Sequence, residues 1–407
     1  MKVFRFILFI TISLFILSSC NKEGDNKATR NYLVDYQLFT PAVKFDIEGT
    51  KNLLNQNDLG VIADKVQYDI QIFKVTYKTR FMGDTVLASG VVAVPVPEKK
   101  NRVFPLLSYQ HGTIVKKSDA PSVNTNNEYM TYMASTGMVV AISDYIGFGE
   151  TANEFHPYLI NEYTTSPVLD MIRAAKELVA AEDVFTLDGN LFMYGYSQGG
   201  SATLGSLSAI ENDMKNSDIN VTAAVCGAGA YDLGEMRKWI MKQTRYEQPF
   251  LIAYMLESFS KYENVGSDYS LVFSDEFASM IPDLFDGTKD GNTINASFGT
   301  FHVGELFNDN FENDAVFESD TSEYVPLVQA FEKNKLTAWP ITASLSIHYG
   351  SEDVSVPGDQ SLSLYKEFQN NGSGAKVKLE RMDGLNHVTA FPASLSKAMS
   401  WFMSFSN

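Results

Sequence analysis

The segment from Leu191 to Ile210 constrains this chain most. A short apolar run, Leu191-Phe-Met-Tyr194, passes directly into Gly195-Tyr-Ser-Gln-Gly-Gly200, and the small, apolar stretch Gly199–Ile210 follows without a linker. The first piece reads as a strand buried on both faces and the last as a helix able to pack closely. A strand that turns at once into a helix holds its intervening serine, Ser197, on a tight and strained elbow. Gly195 and Gly199 remove side chains that would collide at such an elbow, and Gly200 lets the helix approach the sheet. The plainer reading of a Gly-flanked serine is a turn former; the strand before it and the helix after it argue against that.

The surrounding sequence supplies the rest of a sheet. Apolar and polar residues alternate from Val66 to Arg80, a turn follows at Gly83-Asp84, and Thr85–Val94 completes an antiparallel hairpin pattern. Val103–Tyr109 and Met138–Ser143 are continuous apolar runs suited to strands covered on both sides, with Pro105 tolerable near the start of the first. Pro167 is expected to open a helix whose buried face carries Val168, Met171, Ile172, Ala175, Leu178 and Val179. Val221–Cys226 adds another strand. This alternation predicts an α/β fold, a doubly wound and mostly parallel sheet with an antiparallel hairpin on its N-terminal side.

The rhythm breaks between Tyr231 and about Pro340, where aromatic and acidic residues accumulate, helical periodicity runs around Trp239–Phe259, and Asp286–Asn295 is polar. Structureless connections beyond about 12–15 residues are uncommon, so this span is expected to be a helical cap inserted over one end of the sheet. Its Trp239, Phe250, Tyr254, Phe259, Phe301 and Phe307 either pack it onto the core or line an acyl or aryl pocket. The alternation resumes at Ile341–His348, with a helix near Gln360–Phe368, a strand at Lys376–Arg381 and a closing helix near Pro392–Met403. The expected division is therefore a core in two parts, 66–230 and 340–407, interrupted by a cap, 231–339, and preceded by a tether and short helical wrap, 20–65.

A serine hydroxyl attacks a carbonyl only when a base takes its proton, and the base needs a partner that fixes its tautomer. On this strand order both should follow the serine, on loops after later strands. Asp353 stands just past the run ending Ile347-His-Tyr-Gly350, and His387 stands in the expected loop between the last strand and the last helix. Of the five histidines, His348 sits inside a strand and reads as a satisfied core residue, while His156 and His302 are pocket-lining candidates. Glu352 and Asp383 are weaker candidates for the acid. Negative charge developing on a substrate oxygen calls for preorganised backbone donors. The amide of Gln198 is one candidate and that of Thr113, favoured over Gly112, is another. His111 reads as an organiser of that loop.

Composition narrows the function. With 49 acidic and 32 basic residues among 407 and a formal charge of -17, the chain is no candidate for neutralising phosphates, so nucleic acid is not an expected partner. Two cysteines, Cys20 and Cys226, cannot build a disulfide scaffold, and Cys226 lies in a small apolar run where a quiet buried thiol is the favoured reading. No H-E-x-x-H is present and the histidines are scattered, so no metal is expected; the closely spaced glycines of Ile146-Gly-Phe-Gly149 do not make a dinucleotide fingerprint, and no cofactor is expected.

At the N-terminus Lys2 and Arg5 precede the apolar run Phe6–Leu17, too short for a comfortable span, which ends in Ser18-Ser19-Cys20. This reads as an export signal, residues 1–19. Leu17-Ser-Ser-Cys20 resembles the lipobox of bacterial lipoproteins, and Asn21–Asp25 is similar to the acidic tether of surface lipoproteins of the Bacteroidetes type. The resemblance implies a lipidated Cys20, membrane contact through it, and an outer-membrane or cell-surface location.

Taken together, Ser108-Tyr-Gln-His-Gly-Thr113, Asp144-Tyr-Ile-Gly-Phe-Gly149, His156-Pro-Tyr-Leu159, Asp170-Met-Ile-Arg-Ala-Ala175 and Gly195-Tyr-Ser-Gln-Gly-Gly200, with Asp353 and His387, resemble the secretory lipase-like branch of the α/β-hydrolases from about Val66 onward. The resemblance implies an α/β-hydrolase fold with a helical cap, no cofactor, and a serine carboxylic ester hydrolase working through a covalent acyl-enzyme on Ser197. Its substrate would be a small-molecule, lipid or carbohydrate ester. Two alternatives stay open at this point: an exo-acting serine peptidase of the same fold, and a surface-binding lipoprotein without catalysis.

Overall fold

The computed structural model describes residues 30–39, 46–99, 101–124, 129–183 and 185–405. The export signal, Cys20 and the acidic tether lie outside the described residues. Among the described residues nine strands form one sheet: β1 (Leu33–Phe39), β2 (Asp69–Phe81), β3 (Asp84–Val96), β4 (Val103–Gln110), β5 (Val139–Ser143), β6 (Thr186–Tyr196), β7 (Ala223–Gly227), β8 (Ser344–Gly350) and β9 (Val377–Met382). Their order is β1-β2-β3-β5-β4-β6-β7-β8-β9. The pairs from β1 to β5 through β3 are antiparallel and all later pairs are parallel. This is the α/β-hydrolase arrangement, with a helical insertion between β7 and β8.

The period of two in the strands sorts side chains between two cores. Val139 and Ala141 of β5, and Leu191 and Met193 of β6, join a cluster closed by helices α3 (Asn161–Glu182) and α4 (Gln198–Asn212). Their neighbours Val140, Ile142, Phe192 and Tyr194 join the opposite cluster, under helices α1 (Ile47–Gln56), α2 (Gly60–Ala63) and α15 (His387–Met403). Helix α14 (Gly358–Asn370) covers the first face beside α4 through Leu364 and Phe368. Burial of both faces explains why these strands read as continuous apolar runs.

Between β7 and β8 the chain forms α5 (Leu233–Ile240), α6 (Pro249–Tyr262), six short helices, α7 to α12, between Asp275 and Phe317, and α13 (Val325–Lys333). Their aromatic side chains make a third core that also takes in Val115, Tyr158, Ile160 and Val356 from loops of the sheet domain. The cap is tied to α3 as well: Asn161 N–H donates to Asn334 Oδ1 at 2.9 Å and its side-chain amide to the Asn334 carbonyl at 2.6 Å.

Several expectations are corrected. Residues 33–39 form edge strand β1, where only a tether and a helical wrap were expected; the Glu177 carboxylate accepts the N–H groups of Asn31, Tyr32 and Leu33 and docks its start. Pro167 does not open α3 but lies inside it, six residues from the start, because the first turn is held by the cap bonds of Asn161. Pro392 likewise lies inside α15. The periodicity around Trp239–Phe259 divides into two helices, with Pro249 at the first turn of the second. Part of the polar stretch Asp286–Asn295 is helical, since the Asp290 side chain caps Gly291–Ser297. Pro105 falls where the β4–β6 register shifts, between Phe104 and Leu106, so the strand absorbs its missing donor in an irregularity.

Candidate active site

Strand β6 ends at Tyr196 and α4 starts at Gln198, leaving Ser197 alone on the elbow with φ 59° and ψ -125°. A positive φ on a serine is strained and survives only where the surroundings over-determine it. They do so here. Ser197 N–H donates to the Gly227 carbonyl at 2.9 Å. A Cβ on Gly195 would lie 2.0 Å from the Gly199 carbonyl oxygen, and one on Gly199 would lie 1.9 Å from that of Gln110, so no other residue fits either position without backbone movement.

The other two chemistry-bearing residues come from adjacent loops that are bonded to each other. Ser351 N–H donates to the Met382 carbonyl and Glu352 N–H to the Leu385 carbonyl, each at 3.0 Å. These bonds bring Asp353, just beyond β8, against the start of α15. Its Oδ1 accepts the N–H groups of Ser355 at 2.9 Å and Val356 at 2.8 Å, which turns Oδ2 toward His387 Nδ1 at 2.6 Å. His387 Nε2 then lies 3.0 Å from Ser197 Oγ. The Asp353 side chain is fully buried, while His387 and Ser197 keep partial exposure.

His387 is not a loop residue as expected from sequence but the first residue of α15. The Asn386 side chain accepts from the Val388 and Thr389 N–H groups, and Thr389 Oγ1 accepts from Asn386 N–H. This capping box fixes the backbone on which the imidazole stands. Its signature, Asn386 followed three residues later by Thr389, is legible in the chain and marks the helix start that the reading from Pro392 missed. Also unread in the sequence were the orienting amides of Ser355 and Val356.

The remaining histidines are placed as follows. His348 is buried between Ser346 Oγ and Ser394 Oγ, at 3.0 and 2.9 Å, and burial holds it down at about 3. His111 lies with Nδ1 2.8 Å from the Gly112 carbonyl and Nε2 3.3 Å from that of Asp144, and burial holds it at about 4. His156 donates from Nδ1 to the Ile146 carbonyl at 2.7 Å and is lowered by burial to about 3. His302 is exposed on the cap. Among the rival acids, Glu352 is exposed and Asp383 pairs with Arg381 at the surface. Cys226 is buried, and burial pushes its thiol up.

Gln198 opens α4, so its N–H falls outside the intrahelical ladder and is free to face the elbow. Thr113 follows β4 on a loop that abuts the same elbow: a Cβ on Gly112 would lie 3.6 Å from the Tyr196 carbonyl oxygen. Thr113 Oγ1 is 3.0 Å from Tyr158 Oη. A cavity of about 390 Å³ is lined by His156 together with Phe148, Phe155, Tyr254, Lys261 and Phe285. A larger one of about 850 Å³ runs between α3 and α4; none of Ser197, Asp353 and His387 lines it, so size alone does not mark the chemistry.

A model of the secretory lipase family matches residues 115–407, most of the chain and all of the Ser197, Asp353 and His387 positions. The chain belongs to the secretory lipase family. Enzymatic function of the serine-hydrolase type follows from that membership. Solved structures agree with the fold. A provisionally assigned hydrolase of Legionella pneumophila superposes with a TM-score of 0.81 at 26% identity, over 92% of this chain and 98% of that one. The rice cell wall degrading esterase of Xanthomonas oryzae gives 0.76 at 22% identity, over 93% and 97%. Candida antarctica lipase A in its closed state gives 0.63 at 15% identity, over 92% and 83%. No curated protein sequence matches the chain.

Proposed function

We propose that this chain is a carboxylic ester hydrolase in which Ser197 is the nucleophile, His387 the base and Asp353 its orienting acid. The observation that carries the reading is the continuous line from Ser197 Oγ to His387 Nε2, 3.0 Å, and from His387 Nδ1 to Asp353 Oδ2, 2.6 Å. Asp353 is acceptor-only when ionised, so the Nδ1 proton stays on the imidazole and Nε2 keeps its lone pair for the serine proton.

Ser197 Oγ attacks the ester carbonyl carbon as its proton passes to His387 Nε2. The bond to the leaving alcohol then breaks, and His387 returns that proton to the alcohol oxygen. Water attacks the acyl-enzyme, gives a proton to His387, and the carboxylic acid departs as Ser197 is reprotonated. The N–H groups of Gln198 and Thr113 are the proposed donors to the tetrahedral oxyanion. No step needs a cofactor. The substrate is a lipid, carbohydrate or other small-molecule ester. Export accords with the secretory character of the family, and anchoring through a lipidated Cys20 is proposed from the Leu17-Ser-Ser-Cys20 motif alone.

The test is a hydrolysis panel on residues 21–407, comparing p-nitrophenyl acetate, butyrate and long-chain esters and a feruloyl ester with aminoacyl p-nitroanilides. Turnover of esters with a burst of p-nitrophenol, abolished by Ser197→Ala, is expected. Full activity in the Ser197→Ala protein would remove the nucleophile assignment, and preference for the anilides would replace the esterase reading with the peptidase one.

A further inference from the structure

The segment His156-Pro-Tyr158 touches both proposed oxyanion donors, one with each of its outer side chains. Ile146 O can only accept, so His156 Nδ1 carries the proton and Nε2 presents a lone pair. That lone pair takes the side-chain N–H of Gln198 at 2.6 Å. Two residues on, the Tyr158 hydroxyl meets Thr113 Oγ1 at 3.0 Å. All of His156, Tyr158 and Gln198 are buried. The segment itself is stiff: Tyr158 N–H donates to the His156 carbonyl at 2.7 Å, Ile160 N–H donates to that of Pro157 at 3.1 Å, and Pro157 fixes its own φ.

The loop leading to it is equally committed. Gly147, at φ +94°, has no room for a Cβ, which would lie 2.5 Å from His156 Cα. The Tyr145 ring lies 4.1 Å from that of His111, tilted by 32°, and is stacked 5.8 Å from that of His156, and its hydroxyl donates to the His111 carbonyl at 3.1 Å. The root of the loop, Asp144, is wholly buried and accepts from Ser89 Oγ at 2.6 Å, from Ser122 N–H at 2.8 Å and from Ser122 Oγ. The two donor loops, one after β4 and one opening α4, therefore share a single brace.

We infer that His156 and Tyr158 are positioning residues that hold the two halves of the oxyanion site, Gln198 and Thr113, at a fixed separation. The inference rests on the proposed ester hydrolysis at Ser197 but adds to it. Neither side chain is asked to meet substrate; each acts through the residue it bonds. Donors fixed before reaction stabilise a developing charge without reorganising, so loosening the brace weakens the transition state more than the bound substrate.

The experiment is a pair of double-mutant cycles, Tyr158→Phe with Thr113→Val and His156→Leu with Gln198→Leu, with His156→Gln as rescue because its Oε1 can replace the lost acceptor. Three quantities are read on folded protein: kcat and KM for a p-nitrophenyl ester, and the second-order rate of phosphonylation of Ser197 by a fluorophosphonate, whose phosphoryl oxygen needs the same donors. Each single loss should lower kcat and the phosphonylation rate about 10-fold with KM little changed. Each double variant should be no worse than its weaker single, and His156→Gln should recover most of the loss. Multiplicative losses in the doubles, or wild-type phosphonylation in Tyr158→Phe and His156→Leu, overturn the brace even if ester turnover stands. Non-additive phosphonylation without ester turnover keeps the brace and removes the esterase reading. A wild-type protein that is not phosphonylated removes both.

Discussion

The Oδ2 of Asp353 lies 2.6 Å from Nδ1 of His387, and its Oδ1 is held by two backbone N–H groups, so the carboxylate has no freedom to turn away from the imidazole. Asp353→Asn tests what that contact does. The amide oxygen can keep the Ser355 and Val356 bonds, which leaves the NH2 group facing Nδ1. The imidazole must then carry its proton on Nε2, where it cannot take one from Ser197. On the proposed mechanism kcat/KM should fall by about 10³–10⁴ while thermal stability changes little. A variant within about threefold of wild type would show that Asp353 does not set the tautomer.

A second prediction concerns acid stability. His111 is held at about 4, and His156 and His348 at about 3, against an ordinary 6.5, in each case chiefly by burial. The native state therefore leaves all three unprotonated as pH falls below 6.5, while the unfolded chain binds a proton at each. Stability is lost in that window, by about 1.4 kcal/mol per pH unit for each histidine, until the native pKa is reached. Replacing His348 with Gln removes one such proton without touching the proposed site. Urea unfolding from about pH 7 to about pH 5 should show a slope of ΔG against pH smaller by about that amount. An unchanged slope would mean that His348 takes up no extra proton on unfolding.

Strands buried on both faces, such as Met138–Ser143 and Leu191–Tyr194, announce themselves because no residue in them meets water. The elbow was equally plain, since two glycines must flank a serine where strand runs straight into helix. Edge strand β1 was not, because its pairing shifts register between Leu33 and Asp35 and its exposed side chains, Val34, Asp35, Gln37 and Leu38, mix apolar with polar, so no alternation survives. Helix starts were misplaced wherever a proline looked like the first residue. At both Pro167 and Pro392 the preceding turns are stabilised by other means, by Asn334 across the cap in one case and by the Asn386 capping box in the other. The brace through His156 and Tyr158 was invisible for a different reason. Its partners are 42 and 45 residues away, and no local spacing encodes such contacts.

The N-terminal proposal has its own test. If the lipobox reading is right, Cys20→Ala should move the protein from a membrane fraction to a soluble one and abolish incorporation of labelled fatty acid. One acyl chain gives only marginal attachment, so the diacylated cysteine is what makes anchoring stable. Protein that stays in the membrane fraction after this change would have to be held there by something other than Cys20.

The cap aromatics divide into two groups that should respond differently. Phe259 and Phe307 sit inside the cap's own core: the first meets Phe331 at 6.2 Å, and the second meets Phe273 at 5.1 Å and Phe311 at 5.9 Å. Truncation of either to Ala leaves a cavity with no route to substrate, at a cost of about 3–5 kcal/mol in stability. The order of preference among ester chain lengths should not change. Tyr254 is different, because its ring stacks between Tyr158 at 4.8 Å and Phe285 at 4.9 Å and lines the cavity that His156 also lines. Tyr254→Ala enlarges that cavity, and a gain or loss of one methylene-sized contact shifts discrimination by about 1–3 kcal/mol. If the cavity receives the acyl or alcohol group, kcat/KM should rise for longer or bulkier esters relative to acetate. Because Tyr158 is its neighbour, a mere loosening of the brace would instead lower kcat for every ester by a common factor, with KM unmoved. A chain-length series on Tyr254→Ala, with Phe259→Ala as the comparison, separates the two: a reordered profile assigns the cavity to substrate, and a uniform drop assigns Tyr254 to support of Tyr158.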